Sequence, residues 1–316
     1  MAGSGTARKL GGFGMVLAVL FAAAYGVGQV VGPAAAEPEP EAAQHEGMGG
    51  GETGGHSDAE PDAEPDAGHD SGHDAEAAAT PAGLMVTADG LTLDVLSDGL
   101  RAGGSADFAF RILDDHGEPV TRFTPTHDKL MHLVLARRDL SGYRHVHPTM
   151  AADGTWRVPL TFVAAGDYRV FADFQPAGRD EGTTLGVDVA VSGAYLPTPL
   201  PEPALIAETG GYRVTLSGKL VAGTSSRLVL TIEKGGVPVT DLQPYLAAYG
   251  HLVALRQGDL AYLHVHPDEA SSPGPSVAFH AEVPSAGTYR LYLDFKHGDV
   301  VRTAELTATA APQGEK

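Results

Sequence analysis

Cysteine is absent from this sequence of 316 residues. Its absence excludes disulfide frameworks, thiolate zinc or iron–sulfur sites, thiol nucleophiles and the cysteine ligand of a blue-copper centre. Metal chemistry would have to use carboxylate, methionine or histidine, and the sequence holds 14 histidines. Aromatic residues are also scarce, at 7%, so any packed core must be rich in valine, leucine and alanine.

Basic residues are scarce as well, with 21 lysines and arginines against 40 aspartates and glutamates. The formal net charge of −19 argues against nucleic acid and anionic membrane surfaces as partners, because both repel an acidic protein. The nucleophile-elbow, zinc-protease and phosphate-binding glycine motifs are absent from the sequence. We therefore expect no enzymatic activity.

One long apolar run occurs, at residues 13–32, and it contains no charged residue. Its 20 residues are enough to cross a bilayer as a helix. Arg8 and Lys9 precede it within residues 1–12, which predicts a cytoplasmic N-terminus and extracytoplasmic C-terminal domains in a single-pass membrane protein. The alternative is a secretory signal, because the small residues at 34–36 offer a cleavage site. The apolar part of a signal segment usually has only about 7–15 residues, which favours the uncleaved anchor.

Residues 33–83 form an acidic, low-complexity segment without lysine or arginine. Its lack of large apolar residues predicts a disordered linker, since burial cannot offset the entropy of ordering it. Two interpretations of its histidines stay open, a weak metal collector and a solvated tether that happens to carry them. These histidines are His45, His56, His69 and His73.

From residue 84 onward, apolar and polar residues alternate and turn signals separate the short runs, which predicts an all-β fold. An internal repeat divides this region, because HLVLARRDLSGYRHVHP from His132 matches HLVALRQGDLAYLHVHP from His251 without gaps. The predicted organisation is a first repeat at 84–193, a Pro-rich linker at 194–202, a second repeat at 203–310 and a tail at 311–316.

The size of the repeats, with seven or eight short strands expected in each, favours an immunoglobulin-like β-sandwich. A cupredoxin-like Greek key is the alternative. Tyr168 and Tyr289 each follow an Ala-Gly-x pattern at the start of a late strand. This pattern is typical of the tyrosine corner, in which the hydroxyl bonds back to the backbone of the corner.

Histidines in the HVHP motif carry the candidate chemistry. His145 and His147 are two residues apart, so a strand places both rings on one face. In a hairpin with a four-residue loop, paired positions sum to about 281, which puts His132 opposite residue 149, one step from His147. Three imidazoles therefore converge, and the second repeat has the same spacing in His251, His264 and His266.

Imidazole sites without thiolate suit copper or zinc, and their binding should weaken below about pH 6 as histidine is protonated. Met131 is a candidate soft ligand for the first repeat, where the second has Gly250. Asp173 and Asp294 each follow an arginine by four residues, so an ordinary arginine–aspartate pair is the favoured interpretation. A role as metal ligand or as the partner of a histidine is the weaker alternative. The histidines without a counterpart are expected to be incidental: His116, His127, His280 and His297.

The competing interpretation makes each HVHP segment a structural corner whose histidines hydrogen-bond within the fold. Retention of three histidines at one spacing in two diverged repeats favours the metal site without excluding this alternative. In that alternative the chain is a non-catalytic interaction module at the cell surface, with an extracytoplasmic protein as its partner.

The segment from Met131 to Pro148, with its D-L-x-x-Y-x-H-V-H-P motif, resembles one found in uncharacterised secreted or membrane-anchored actinobacterial proteins with tandem immunoglobulin-like repeats. It is also similar, distantly, to YtkA-like periplasmic domains that accompany heavy-metal or copper handling. The resemblance implies an extracytoplasmic β-sandwich connected with copper. It covers both repeats, but neither the apolar run nor the acidic segment.

Overall fold

The computed structural model describes residues 80–263, 265–268 and 272–314. Within these residues the regular structure consists of strands alone, and no helix is long and apolar enough to span a bilayer. The predicted membrane segment at 13–32 and nearly all of the predicted acidic linker lie outside the described residues.

The strands of the first repeat are β1 (Thr87–Ala88), β2 (Leu91–Val95), β3 (Ser105–Leu113), β4 (Phe123–Thr124), β5 (His132–Arg137), β6 (Arg144–Val146), β7 (Thr149–Met150), β8 (Trp156–Thr161), β9 (Gly166–Pro176) and β10 (Thr183–Val191).

The second repeat follows the same plan with eleven strands. They are β11 (Ile206–Thr209), β12 (Tyr212–Ser217), β13 (Leu220–Val221), β14 (Thr224–Lys234), β15 (Val237–Pro238), β16 (His251–Arg256), β17 (Tyr262–Leu263), β18 (Val265–Pro267), β19 (Ser276–Val283), β20 (Gly287–His297) and β21 (Val300–Ala311).

Each repeat is a sandwich of two sheets. In the first repeat the strand orders are β1-β2-β3-β8-β7 and β10-β9-β5-β6, and in the second they are β11-β12-β14-β19-β18 and β13-β21-β20-β16-β17. This is the immunoglobulin arrangement, in which strands A, B, E and D face strands G, F and C. The prediction of an all-β fold with two tandem immunoglobulin-like domains is confirmed.

Both predicted tyrosine corners are present. The Tyr168 hydroxyl donates to the backbone oxygen of Ala164 at 3.0 Å, and the Tyr289 hydroxyl donates to that of Ser285 at 2.8 Å. Each ring is buried in the core of its sandwich. The hydroxyl therefore satisfies a polar group at the corner while the ring contributes to packing.

The two repeats pack against each other through the sheets that contain β5 and β16. All six residues of β5 are buried, because one face of the strand lies in the sandwich and the other meets the second repeat. Such coverage of both faces favours an unbroken apolar run. The inter-repeat core comprises Val134, Ala136, Leu140, Tyr143, Phe171, Val253, Leu255, Leu260 and Tyr292.

The aromatic contacts across this interface repeat with approximate two-fold symmetry. The rings of Tyr143 and Tyr292 stack with centroids 4.0 Å apart and planes 6° apart. Their counterparts in the repeat alignment, Tyr262 and Phe171, lie with centroids 5.4 Å apart. Each of the two aligned positions in one repeat thus contacts the other position in the other repeat, as expected where like surfaces pack together.

A short segment before the first strand also belongs to the folded region. Gly83 donates its backbone N–H to Thr184 at 3.0 Å, and Gly186 donates to Met85 at 2.8 Å. Ala82 accepts a bond from the backbone N–H of Tyr262, in the second repeat, at 3.0 Å. The last residues of the predicted linker therefore lie along β10 and contact both repeats.

Candidate metal centre

The β5–β6 hairpin determines which face carries the histidines. Leu133 pairs with Val146 and Val134 with His145, so paired positions sum to 279 rather than to the predicted 281. A shift of two residues leaves every side chain on its expected face, since side chains alternate with a period of two. His132 and His145 therefore share the face that is turned toward the second repeat.

Three imidazoles of the first repeat converge on this face. One ligand nitrogen from each of His132, His145 and His147 lies within 4.8 Å of the others. The ring centroids of His132 and His145 are 5.3 Å apart, those of His132 and His147 are 5.0 Å apart, and those of His145 and His147 are 4.9 Å apart. The structure thus brings together the three residues that the spacing placed on one face.

The outward nitrogens of two of these rings are already used. Nε2 of His132 lies 3.0 Å from the backbone oxygen of Thr126, and Nδ1 of His145 lies 3.0 Å from a carboxylate oxygen of Asp294. Both partners only accept, so both nitrogens carry the proton. The remaining nitrogens, Nδ1 of His132 and Nε2 of His145, face each other 3.1 Å apart.

Two facing lone pairs repel each other unless a cation lies between them. A metal ion about 2.0–2.1 Å from each nitrogen holds the nitrogens about 2.9 Å apart at a right angle and about 3.3 Å apart at the tetrahedral angle. The observed 3.1 Å lies between these values. A single shared proton is the other way to satisfy the pair.

The third ring also presents a nitrogen without a partner. Nε2 of His147 is buried and has no hydrogen-bond partner in the described part of the chain. A buried polar atom of this kind is costly, and most such atoms in folded proteins are satisfied. The donor set of three neutral imidazole nitrogens suits copper(II) or zinc(II).

Burial keeps several of these imidazoles neutral. Desolvation, with smaller repulsion from His145 and His132, lowers the pKa of the His147 imidazole to about 3. Desolvation likewise lowers the pKa of the His251 imidazole to about 4 and also lowers the pKa of His132. Neutral rings are the form that binds metal, so these rings need not lose a proton first at neutral pH.

The two recurring aspartates do not pair with the arginines that precede them. Arg169 donates to the backbone oxygens of Gly83 and Leu84, and Arg290 forms its ion pair with Glu305. The expected arginine–aspartate pairing is therefore wrong at both positions. Asp294 instead accepts from His145, in the other repeat, which is the role of a partner that orients a histidine.

Asp173 occupies the equivalent place in the first repeat. It accepts a bond from the Thr184 hydroxyl at 3.0 Å, as Asp294 does from the Thr303 hydroxyl at 2.5 Å. Neither aspartate belongs to the described group of three potential metal ligands. Both lie beside the histidines rather than among the converging nitrogens.

The second repeat contributes His251 to the same region. Nε2 of His251 lies 2.8 Å from the backbone oxygen of Tyr245, the counterpart of the bond from His132 to Thr126. His264 lies outside the described residues. His266 is exposed and lies in β18, where it is opposite His280. The predicted second triad therefore stays a prediction from the spacing.

A cavity of about 530 Å³ lies between the repeats in front of these rings. Histidines of both repeats border this one space: His127, His132, His145, His251 and His266. Sequence spacing alone treated them as two separate sites. The carboxylates that line the same cavity are those of Asp173, Asp180 and Glu181.

His127 was expected to be incidental, but it lies in this region. Its ring centroid is 5.3 Å from that of His251 and 6.1 Å from that of His132. A tight turn between Thr126 and Lys129, with positive φ at His127, directs the chain here. The second repeat has the same turn with Leu246 in place of His127. Sequence periodicity carries no signal for such a loop contact.

Two other expectations about side chains change. Met131 is buried in the core of the first sandwich, on the opposite face of β5 from His132, so it is not a ligand. His297 is not incidental, because its Nδ1 lies 2.7 Å from the Tyr212 hydroxyl and its Nε2 lies 3.0 Å from Asp241. His116 is exposed, as expected.

Solved structures with a similar fold include bacterial adhesins and titin domains. The chain is 16% identical to the Escherichia coli adhesin FdeC, covering 71% of this chain and 65% of that one, with a TM-score of 0.23. For Yersinia pseudotuberculosis InvD the identity is 10%, the coverage 73% and 61%, and the TM-score 0.24. For a chimeric titin Z1Z2 tandem the identity is 13%, the coverage 70% of this chain and 97% of that one, and the TM-score 0.19. TM-scores this low carry no inference about what this chain binds.

No curated protein matches the chain. The resemblance to YtkA-like domains finds no support in these comparisons. One family model, described as a domain of unknown function (DUF8832), matches residues 86–192 and again residues 207–312. These two matches coincide with the two sandwiches and cover most of the sequence, so the chain belongs to the DUF8832 family, of which it carries two tandem domains.

Proposed function

We infer that this protein binds a transition metal ion, copper first and zinc second, through His132, His145 and His147. The observation that carries the proposal is the arrangement of the ring nitrogens. His132 and His145 donate their outer N–H groups to a carbonyl and a carboxylate, and their unprotonated nitrogens face each other. A metal-bound histidine typically donates its other nitrogen in this way.

The charge of the surroundings supports the same proposal. Asp294 is buried, and no lysine or arginine among the described residues forms an ion pair with it. A buried carboxylate is costly unless positive charge lies nearby. A divalent cation on His145 supplies that charge through the imidazole ring.

The main alternative is a non-catalytic cell-surface interaction module with structural HVHP corners. The observation that favours it is the bond from His145 to Asp294, which ties the two repeats together even without a metal. In this alternative a proton shared by His132 and His145 replaces the metal. The two proposals differ in whether the converging nitrogens take up a metal ion tightly.

The cellular setting is part of the proposal. The apolar run at 13–32, with basic residues before it, supports a membrane-tethered protein with extracytoplasmic domains, and cleavage and secretion are the alternative. The acidic segment would then separate the metal-binding domains from the membrane and attract cations.

Isothermal titration of Cu(II) and Zn(II) into residues 81–316 tests the proposal. This fragment omits the histidines of the acidic segment. We expect tight binding that falls by about 100-fold or more in His145→Ala, because the variant loses one ligand and the bond to Asp294. His116→Ala is the matched control, since its ring is exposed and outside the cluster.

Binding no tighter than millimolar in the unchanged fragment contradicts the proposal. So does equal binding by His145→Ala and His116→Ala. If His145→Ala only lowers the melting temperature and leaves the binding curve unchanged, the structural interpretation of the HVHP corner is correct.

A further inference from the structure

The interface between the repeats runs directly beside the candidate metal site. The Tyr292 hydroxyl donates to the backbone oxygen of Leu140, in the other repeat, at 2.6 Å, and its ring stacks on Tyr143. Two residues beyond Tyr143, His145 bonds to Asp294, which lies two residues beyond Tyr292. The contacts that join the repeats thus continue, along one face of each sheet, into the site.

Asp294 is held by groups from both sides of this interface. Thr303, its neighbour on β21, donates to Oδ1 at 2.5 Å. Oδ2 lies 3.0 Å from Nδ1 of His145 and 3.3 Å from the Tyr143 hydroxyl, both in the first repeat. Asp294 is only 3% exposed, so this carboxylate depends on the first repeat for two of its three hydrogen bonds.

The bond to Asp294 determines which nitrogen of His145 is available. A carboxylate at Nδ1 keeps the proton there and leaves Nε2 as a lone pair, directed at Nδ1 of His132. Without the carboxylate, the neutral ring is free to carry its proton on Nε2, the tautomer that cannot bind a metal through that atom. The second repeat therefore prepares a ligand of the first.

We propose that Asp294 of the second repeat is the positioning residue of the metal site in the first repeat, so that metal binding and docking of the repeats strengthen each other. This inference rests on the proposed function. If docking raises metal affinity by some factor, bound metal must favour docking by the same factor, because the coupling is reciprocal. The metal then acts as a latch between two domains of one chain.

The test uses zinc binding by the full-length chain carrying His264→Ala and His266→Ala, which removes the histidines of the second HVHP motif. In this background we expect Asp294→Asn to weaken zinc binding by about 10–100-fold, the usual effect of losing a partner that orients a ligand. Asp173→Asn is the matched control, at the equivalent position with the equivalent threonine bond. We expect it to stay within about threefold of the background, because Asp173 accepts its hydrogen bond from Thr184 and orients none of the three converging histidines.

A spectroscopic measurement separates positioning from general stability. Long-range ¹⁵N–¹H spectra of the zinc-loaded background should show the His145 proton on Nδ1 with the shift of a nitrogen bonded to a carboxylate. Without zinc, the His145 proton should be found on Nε2 in Asp294→Asn and on Nδ1 in Asp173→Asn. A merely structural role for Asp294 would lower the melting temperature but leave the His145 proton on Nδ1.

Tyr292→Phe weakens the docking of the two repeats directly, and its effect on zinc affinity tests the coupling. This variant removes the bond to Leu140 but leaves every histidine unchanged. We expect zinc affinity to fall by a few fold, about what the net loss of one hydrogen bond from the docked state gives. Unchanged affinity with a lowered melting temperature would show that docking and metal binding are independent.

The outcomes are distinguishable. If neither the unsubstituted chain nor the background binds zinc, the proposed function fails and this inference fails with it. If the unsubstituted chain binds zinc and the background does not, the site needs the second HVHP motif, and the assignment of Asp294 to a site of the first repeat alone is overturned. If the background binds zinc and Asp294→Asn binds it equally well, only the positioning role is overturned. The same holds if Asp173→Asn weakens zinc binding as much as Asp294→Asn does. Should Asp294→Asn fail to fold, Thr303→Val against Thr184→Val makes the same comparison, because each removes the threonine that holds the aspartate.

Discussion

The two repeats have the same fold, and they differ at the positions around the histidines. In each repeat, Nε2 of the first histidine of a strand, β5 or β16, bonds to the backbone oxygen of an equivalent turn. The bonded pairs are His132 with Thr126 and His251 with Tyr245. The turn itself carries His127 in one repeat and Leu246 in the other. The two repeats therefore share the hydrogen bond that fixes the tautomer of this histidine, but they differ in the residues around its ring.

The HVHP segment also follows different paths in the two repeats. In the first, His145 lies in β6, beside β5, and the chain reaches the other sheet at β7, after His147. In the second, β18 already belongs to the other sheet and contains His266. One sequence motif thus marks a crossing between sheets in both repeats. Only the first repeat shows three converging histidines among the described residues.

Removing the paired histidines of each motif should give the largest effect in this comparison. We expect His145→Ala/His147→Ala to abolish one tight metal site, a loss of about 100-fold or more in affinity, because two of three ligands are lost. The equal spacing of the second motif predicts that His264→Ala/His266→Ala removes a second site. Calorimetry on residues 81–316 counts the sites. Loss of all binding by either pair alone would instead indicate one shared site at the interface.

A second comparison concerns the aspartates of the two hairpin turns. Burial favours a raised pKa at Asp139, but hydrogen bonds from Arg137, Thr198 and Ser141 outweigh it and lower the pKa to about 2. Asp259 also has a lowered pKa, mainly through the hydrogen bond from Arg256, but it is more exposed. We expect Asp139→Asn to cost about 3 kcal/mol of unfolding free energy and Asp259→Asn about 1 kcal/mol.

The pH dependence of this difference follows from the lowered pKa. Ionised Asp139 contributes its stability above the unfolded pKa of about 3.9, and that contribution is lost as the pH falls toward about 2. Urea unfolding at a series of pH values measures it. The gap between the unchanged chain and Asp139→Asn should be full at pH 7 and shrink below about pH 4. A constant gap would show that the charge of Asp139 is not responsible.

The tyrosine corners should respond alike in the two repeats. Tyr168→Phe and Tyr289→Phe each remove one hydroxyl bond to a corner carbonyl and keep the buried ring. We expect a loss of about 1 kcal/mol of unfolding free energy for each, the net value of one such bond. Urea unfolding measures both, with the exposed Tyr195→Phe as the control. A difference between the corners larger than this loss would show that the two folds are not equivalent there.

Exchanging the turn residue should have the smallest effect. His127→Leu gives the first repeat the residue that the second has at Leu246. His127 is not among the three converging ligands, so we expect zinc affinity to change by less than about threefold. Calorimetry checks this value. A loss of tenfold or more would mean that His127 is a fourth ligand and that the two repeats differ in coordination as well as in sequence.

Much of the fold could be predicted from the sequence because it depends on local pattern. Alternation identified the strands, and the Ala-Gly-x-Tyr pattern located both corners. The shared face of His145 and His147 followed from strand geometry alone. An error of two in the hairpin register had no effect on that face.

Contacts between the repeats could not be predicted in the same way. The bond from His145 to Asp294 joins residues 149 positions apart, and it depends on how two finished sandwiches pack. One signal was present, since the apolar runs LVLA and LVAL are typical of a strand covered on both faces. That signal indicates a covered sheet but not which residues of the covering domain meet the histidines.

The most direct test of the metal site is anomalous diffraction from crystals of residues 81–316 grown with zinc. We expect a strong anomalous peak within bonding distance of Nδ1 of His132, Nε2 of His145 and Nε2 of His147, with Asp294 still bonded to Nδ1 of His145. Zinc found only at exposed histidines or carboxylates, with the rings of His132 and His145 sharing a proton, would contradict it.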